Sequence, residues 1–332
     1  AVIPLDACVD TAELCIGISK ALSQIGSVHH FTPAEGEHFH SDVHKDVHKD
    51  IGVSTQITTR LSDLEHRYDF LLYEASVKPT PWSRLAVRQA DQLILVANAY
   101  TDPKAISLAD YSVAGSGFSM VKKSLVLLHP ANTESPHINP RWNGTFDLER
   151  IYPLRLDRQA GIERLVRFIT DRAIGLVLGG GGARGLAHIG VLKALEESGI
   201  PVDMVCGNSM GALIGAQYIG GTPIADLLSS TLQFVRDGDR PTVPVIALLS
   251  GKRMRSNLQE MFGNTTVEGL WRPFFSVACN LSRADIKVLD QGPLWQAVLA
   301  SNSPAGILPP VIVNGDLLVD AALLDNVPVE SM

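Results

Sequence analysis

Along the first half of the chain, short apolar runs alternate with stretches of helical period. The runs at 1–5, 27–31, 69–75, 92–97 and 124–129 predict strands, and 11–23 and 82–90 predict helices. Strands separated by helix-length segments are the signature of a parallel α/β layer. The Pro-, Asn- and Ser-rich stretch 130–144 reads as a loop, and a strand at 151–156 followed by a helix over 161–171 leads out of this first unit. A boundary is expected near residue 172. Two strand–turn–helix passages follow: 174–178, a glycine run and a helix over 184–198, then 202–206, a turn and a helix to about 218. Gly199 ends the first of these helices and Pro201 guards its far side, the usual stop chemistry. Consecutive βα units imply parallel neighbouring strands with their functional ends on one edge.

Size fits this division, because 332 residues are long for one ordinary domain and comfortable for two. With 45% hydrophobic and 19% charged residues and no low-complexity tract, the chain is globular rather than disordered. The net charge of −7 and the scattered lysines and arginines leave no basic stripe for a nucleic-acid backbone. Cys8, Cys15, Cys206 and Cys279 lie far apart with no Cys-x-x-Cys, which suggests neither a disulfide framework nor a zinc site and makes a reducing, cytoplasmic compartment the default. No run approaches the ~20 apolar residues that span a bilayer, so any membrane contact is expected to be peripheral. The chain opens at Ala1 inside a strand-like run and stops at Met332 just past a motif, and is read as a candidate fragment.

Chemistry concentrates in the second unit. Gly207-Asn208-Ser209-Met210-Gly211 has the G-x-S-x-G pattern between a β-rich and a helix-forming run, the context a nucleophile elbow requires. The flanking glycines permit a sharp turn that lifts Ser209 clear of the sheet at a helix N-terminus; the plainer reading makes Ser209 an N-cap. Upstream, Gly179-Gly180-Gly181-Gly182-Ala183-Arg184-Gly185 places unshielded amides at the mouth of a strand, suited to a phosphate or to an oxyanion. Positions 180, 182 and 185 satisfy G-x-G-x-x-G, but the next strand ends in Ser209 where a dinucleotide site wants an acid. No G-K-[ST] is present, so a Walker loop is excluded. Arg184 either adds positive field beside the oxyanion or is structural.

All ten histidines precede Ser209, the last being His188, so the Ser–Asp–His order of α/β-hydrolases is impossible within these residues. Attention turns to carboxylates. Asp320 closes the apolar run Leu317-Leu318-Val319 and is followed by Ala321 and Ala322; a carboxylate held there can accept the serine proton. Asp285, Asp290, Asp316 and Asp325 compete for that role.

Taken together, these blocks resemble the patatin-like phospholipase family, and closely its bacterial branch related to neuropathy target esterase. Leu176 through Leu192 looks like the family's oxyanion block and Gly207 through Gly211 its nucleophile block. Ala300-Ser301 with Pro304 resembles its third block, and Asp320-Ala321-Ala322 stands where Asp-Gly-Gly or Asp-Gly-Ala is usual. Asn326-Val327-Pro328 is also family-like. The first unit, through Tyr68 to Glu74 and Trp82 to Asp91, is similar to the segment preceding the patatin domain in that branch. The resemblance implies a Rossmann-like α/β domain lacking a recognisable phosphate loop over 1–157, a linker helix over 158–171 and a patatin-type three-layer hydrolase over 172–332. It further implies a Ser209–Asp320 dyad, an oxyanion hole at Gly180, Gly181 and Gly182 supported by Arg184, Gly207 and Gly211, no metal or cofactor, and hydrolysis of phospholipid or lysophospholipid esters with no nucleic-acid partner. The alternatives are a non-lipid esterase or thioesterase, and a weakly active regulatory protein whose glycine loop binds an anion.

Two further signals are read conservatively. His38, His40, His44 and His48, near two Val-His-Lys-Asp copies, read as a solvated face rather than metal ligands. The apolar run 243–249 is read as core in preference to a lipid-facing loop.

Overall fold

The computed structural model describes residues 1–6, 8–45, 53–106, 121–236 and 238–332. His48 and the second Val-His-Lys-Asp copy lie outside the described residues. The chain divides into two compact units, Ala1–Arg172 and Ala173–Met332.

Unit 1 runs β1 (Val2–Pro4), α1 (Ala12–Leu22), β2 (Val28–Phe31), α2 (Pro33–Lys45), α3 (Val53–Glu65), β3 (Phe70–Tyr73), α4 (Pro81–Gln89), β4 (Gln92–Asn98), β5 (Lys122–His129), β6 (Arg150–Arg155) and α5 (Gln159–Ile169). Strands β1-β4-β5-β6 form a parallel sheet, and β2-β3 is a parallel pair joined to it through a bridge between Val2 and Glu74. The near-continuous burial of Leu93 to Ala97 and Leu125 to Leu127 is what a sheet covered on both faces demands. α5 packs Ile162, Leu165 and Val166 into the core that α1 also fills with Leu14 and Ile18. Neither α2 nor α3 was legible in the sequence. α2 is a polar, His-rich helix that buries Gly36 and half-buries Phe39, and α3 buries only Leu61 among its described side chains, so the apolar period is weak.

At the C-terminal end of β1, where an α/β sheet of this type offers its anion crevice, a carboxylate is already in place. Asp6 accepts hydrogen bonds from the Cys8 amide at 2.9 Å, the Asn98 amide at 3.3 Å and the Thr101 hydroxyl at 2.8 Å. Those donors therefore face a fixed negative charge, and a phosphate at this spot would meet repulsion.

Unit 2 runs β7 (Gly175–Leu178), α6 (Ala187–Glu197), β8 (Met204–Gly207), α7 (Met210–Ile219), α8 (Ile224–Arg236), α9 (Lys252–Phe262), β9 (Phe274–Asn280), β10 (Asp285–Leu289), α10 (Leu294–Ser301), β11 (Val311–Val313) and β12 (Asp316–Asp320). Its sheet has the order β11-β12-β9-β8-β7, with β10 also paired to β9. β7, β8 and β9 are parallel; β12 returns antiparallel to β9. The first turn expected of the helix beginning at Arg184 is instead a 3₁₀ segment, Gly182–Leu186, ahead of α6. α7 is buried along its whole length, which explains why its sequence is apolar all round rather than amphipathic.

In unit 1, a Cβ at Gly36 of α2 would overlap the buried indole of Trp82, whose Nε1 donates to the Glu74 carbonyl at 3.0 Å. Gly36→Ala is therefore expected to lower stability by about 1–3 kcal/mol through overpacking and to shift tryptophan emission. Urea unfolding followed by fluorescence checks this, and an unchanged midpoint would contradict the packing described.

Candidate active site

β8 runs directly into a sharp turn at Ser209, whose backbone lies at φ 52 and ψ −125. A non-glycine residue held at positive φ costs of order 1–3 kcal/mol and persists only where its surroundings impose it. Here the surroundings are backbone. A Cβ on Gly211 would overlap the Leu178 carbonyl, and one on Gly207 would come within 2.6 Å of the Ala212 amide. The two glycines therefore let α7 start hard against β7 and β8. Ser209 stands at the N-cap of α7, yet its side chain makes no capping hydrogen bond. Ser209 thus occupies the N-cap position without capping α7 through its hydroxyl.

A polar girdle holds the turn. The Ser209 amide donates to Ser301 Oγ at 2.9 Å, and Ser301 Oγ donates in turn to Asn208 Oδ1 at 3.2 Å. Asn302 Nδ2 donates to the Ser209 carbonyl at 2.8 Å. Asn208 Nδ2 reaches Asn326 Oδ1 at 3.2 Å, and Asn326 Nδ2 reaches the Gly180 carbonyl at 3.2 Å. Asn208, Ser301 and Asn302 are buried, so a lost partner would leave a buried polar group unsatisfied, while the Asn326 bond to Gly180 lies at the surface. These asparagines and Ser301 had no role assigned from the sequence; only the nearness of the 301 and 326 segments to family-like blocks hinted at one.

Within the glycine loop the three candidate oxyanion donors are not equivalent. The Gly180 amide already donates to the Asn326 carbonyl at 3.1 Å, which removes it from that role. Gly180 is a spacer instead: a Cβ there would sit 2.6 Å from Asn326 Oδ1 and 3.0 Å from the Ser209 Cβ. Among the described residues the Gly181 and Gly182 amides have no hydrogen-bond partner, and Gly182 adopts φ 53, which glycine favours. Arg184 is exposed on the 3₁₀ segment beside them. His188 Nε2 lies 2.9 Å from the Gly179 carbonyl, bracing the loop from α6.

Asp320 ends β12 and is buried. Its Oδ1 accepts the Ala322 amide at 2.9 Å and its own amide donates to the Ser303 carbonyl at 2.9 Å. Gly207 pairs with Ser276 and Asp320 with Ala278, so the elbow and the carboxylate stand at neighbouring levels of the sheet with only β9 between them. Two strand spacings amount to roughly 10 Å between their backbones. The segment Ser301–Asn302–Ser303 touches both: its first two side chains hold Ser209, and its third carbonyl holds Asp320. Of the competing acids, Asp316 contacts Arg283 at the far end of β12, and Asp285 is exposed.

The sequence pattern of the Patatin-like phospholipase family matches residues 176–332, and that of the Neuropathy Target Esterase family P-loop like domain matches residues 1–145. Unit 2 is a patatin-like phospholipase domain. Unit 1 carries the P-loop-like domain of the neuropathy target esterase family, a Rossmann-like α/β layer. Over the whole chain, the sequence is 28% identical to Lysophospholipase nte1 of Aspergillus fumigatus, covering 25% of that protein. It is 32% identical over 81% of the chain to Patatin-like phospholipase domain-containing protein 6 of Homo sapiens, covering 22% of that protein. The chain thus spans about a quarter of the length of these curated relatives. VipD from Legionella pneumophila aligns at a TM-score of 0.34 and 16% identity over 47% of each chain, too distant to bear on the fold.

Within the patatin-like domain, Ala321 replaces the family's usual glycine without strain. It is fully buried, begins a 3₁₀ turn capped by Asp320 and is not among the positive-φ residues. Cys206, three residues before Ser209, is held as an unreactive thiol: burial foremost, and the nearby Asp325 charge, push it up to about 12. The described residues bring together one cluster with metal-ligand reach, Cys15, His30 and Glu74 of unit 1. Two of its members are already engaged, Glu74 accepting from the Thr11 hydroxyl at 2.9 Å and meeting His30 at 3.0 Å.

Gly211→Ala should prevent the elbow from closing on Leu178, costing more than about 3 kcal/mol or abolishing folding of the patatin-like domain; thermal unfolding measures it, and a loss below about 1 kcal/mol would contradict the contact. Ala321→Gly should leave turnover unchanged and cost about 1 kcal/mol through the lost buried methyl and the added chain entropy, whereas faster turnover would reveal strain at Asp320.

Proposed function

We propose that the chain is a carboxylic ester hydrolase acting on phospholipids or lysophospholipids, with Ser209 as nucleophile and Asp320 as its base. The observation that carries this reading is the uncapped hydroxyl of Ser209, held at positive φ beside two amides without a partner among the described residues, with a buried carboxylate across the single intervening strand β9. The names of the relatives, lysophospholipase and patatin-like phospholipase, support the substrate class.

In this mechanism Ser209 Oγ attacks the ester carbonyl while its proton passes to Asp320. Oδ1 of Asp320 is engaged by the Ala322 amide, which leaves Oδ2 to take the proton. Negative charge develops on the former carbonyl oxygen and is met by the Gly181 and Gly182 amides, donors fixed before the reaction starts. Collapse expels the alcohol, which recovers the proton from Asp320, and leaves an acyl-serine. Water then attacks the acyl group, giving its proton to Asp320, and the fatty acid departs as Ser209 regains its hydrogen. A histidine is not needed for any step. Arg184, exposed beside the amides, supplies positive field for the substrate's phosphate. No helix among the described residues is long and apolar enough to cross a membrane, and the proposed substrate is reached by peripheral contact with a lipid surface on the cytoplasmic side.

Ser209→Ala should reduce hydrolysis of a lysophospholipid by roughly 10³-fold or more with little change in melting temperature. Ser209→Gly should abolish activity equally and stabilise the fold by about 1 kcal/mol, because glycine accepts φ 52 without strain. Asp320→Asn should lose nearly as much activity, since an amide cannot take the proton. A fluorophosphonate probe should label Ser209 in the folded protein. An unlabelled Ser209, or an enzyme silenced through His188 but indifferent to Asp320→Asn, would sink the dyad.

A further inference from the structure

The run 243–249, expected to be core, projects into water. Val243, Val245, Ile246 and Leu248 are 76%, 83%, 72% and 57% exposed, while Ala247 is buried and Leu249 half-buried. A disordered apolar segment would need little explanation, but this one is built. The Thr242 amide donates to the Leu248 carbonyl at 3.0 Å, and the Ser250 amide to the Arg240 carbonyl at 2.9 Å. Leu248 and Leu249 donate to Gly306 and Ile307 at 3.0 and 2.9 Å. At the loop's base Asp239 accepts from the Ser250 hydroxyl and from the Met254 amide. The backbone therefore holds four large apolar side chains in solvent, joined by half-exposed Ile307, an arrangement that marks an interaction surface.

Charge indicates what covers it. Arg240 precedes the loop, and Lys252, Arg253 and Arg255 follow it, all exposed. The last three occupy the first turn of α9, which carries no acidic residue and no side-chain cap. Cations at the positive end of a helix dipole are unfavourable in the free protein, and an anionic layer would reverse that sign. Apolar side chains ringed by bases fit the boundary between acyl chains and anionic headgroups. A cleft of about 320 Å³, lined by Lys252, Arg255, Leu299 and Ser303, runs beside the loop's base. Ser303 is the residue whose carbonyl holds the Asp320 amide. Gly306, which the loop grips, is four residues from Asn302, so chain reach places the two within about 14 Å.

We propose that loop 243–248, with Arg240, Lys252, Arg253 and Arg255, docks the patatin-like domain on an anionic lipid surface. The choice of lipid as occupant rests on the ester-hydrolase reading above. Binding is measured apart from catalysis, by co-sedimentation of the whole chain with vesicles of phosphatidylcholine, with or without about one-third phosphatidylglycerol. The wild type should bind the anionic vesicles. Val245→Asp with Ile246→Asp should weaken that binding roughly ten-fold or more. Lys252→Glu with Arg255→Glu should weaken it similarly on anionic vesicles. Hydrolysis of a soluble short-chain ester should stay within about two-fold in the apolar variant, because these side chains touch no reacting group. Failure of the wild type to sediment, or equal binding by both variants, overturns the docking surface even where hydrolysis is intact. Loss of ester hydrolysis by the wild type with binding preserved would instead fault the catalytic reading. A wild type that self-associates and is dispersed by the apolar variant would assign the loop to a second copy of the chain and likewise overturn the proposal.

Discussion

The architecture of the candidate site depends on one close approach, that of the Gly211 backbone to the Leu178 carbonyl. Because no side chain intervenes, α7 starts against the end of β7, and the residue two before Gly211 is forced through positive φ. The same crowding fixes Gly207 and Gly180, where an added Cβ would sit 3.0 Å from the Ser209 Cβ. The strained backbone at Ser209 and its neighbouring amides are thus products of one packing constraint. The constraint acts through backbone, which cannot relax as a side chain can.

Backbone contact alone would leave the elbow free to splay, and the polar girdle prevents this. Ser301 and Asn302 at the end of α10 bind the amide and carbonyl of Ser209, while Asn326 is bonded to both the amide and the carbonyl of Gly180. Segments nearly 150 residues apart are joined by these contacts, the Asn326–Gly180 pair spanning 146 positions. Built on the buried side chains of Ser301 and Asn302, such bonds specify one arrangement more than they add stability. They also explain why Gly180 is a spacer while Gly181 and Gly182 keep free amides.

The two units treat negative charge in opposite ways. In unit 1 the crevice at the end of β1 is filled by Asp6, whose carboxylate takes the amides and hydroxyl that an anion would use. In unit 2 the Gly181 and Gly182 amides of the glycine loop have no partner among the described residues and stand beside an exposed arginine. The donors at the end of β1 are thus already engaged by a carboxylate, whereas two amides of the unit 2 loop are not.

The sequence by itself determined the features whose signals are local. Strand and helix periods located most elements of unit 1, and glycines at fixed offsets around Ser209 located the elbow, because a sharp turn leaves a mark within five residues. The position of Asp320 at the close of an apolar run was legible for the same reason. The helices α2 and α3 were not, since a polar helix that buries one or two residues per face has almost no period to read. Tertiary structure decided which glycine amide is occupied, because the partner of Gly180 lies on a segment far along the chain. It assigned holding roles to Ser301, Asn302 and Asn326, residue types equally at home in any loop. It also turned 243–248 outward, since an apolar run has the same composition whether it fills a core or faces a lipid, and only the packing around it distinguishes the two.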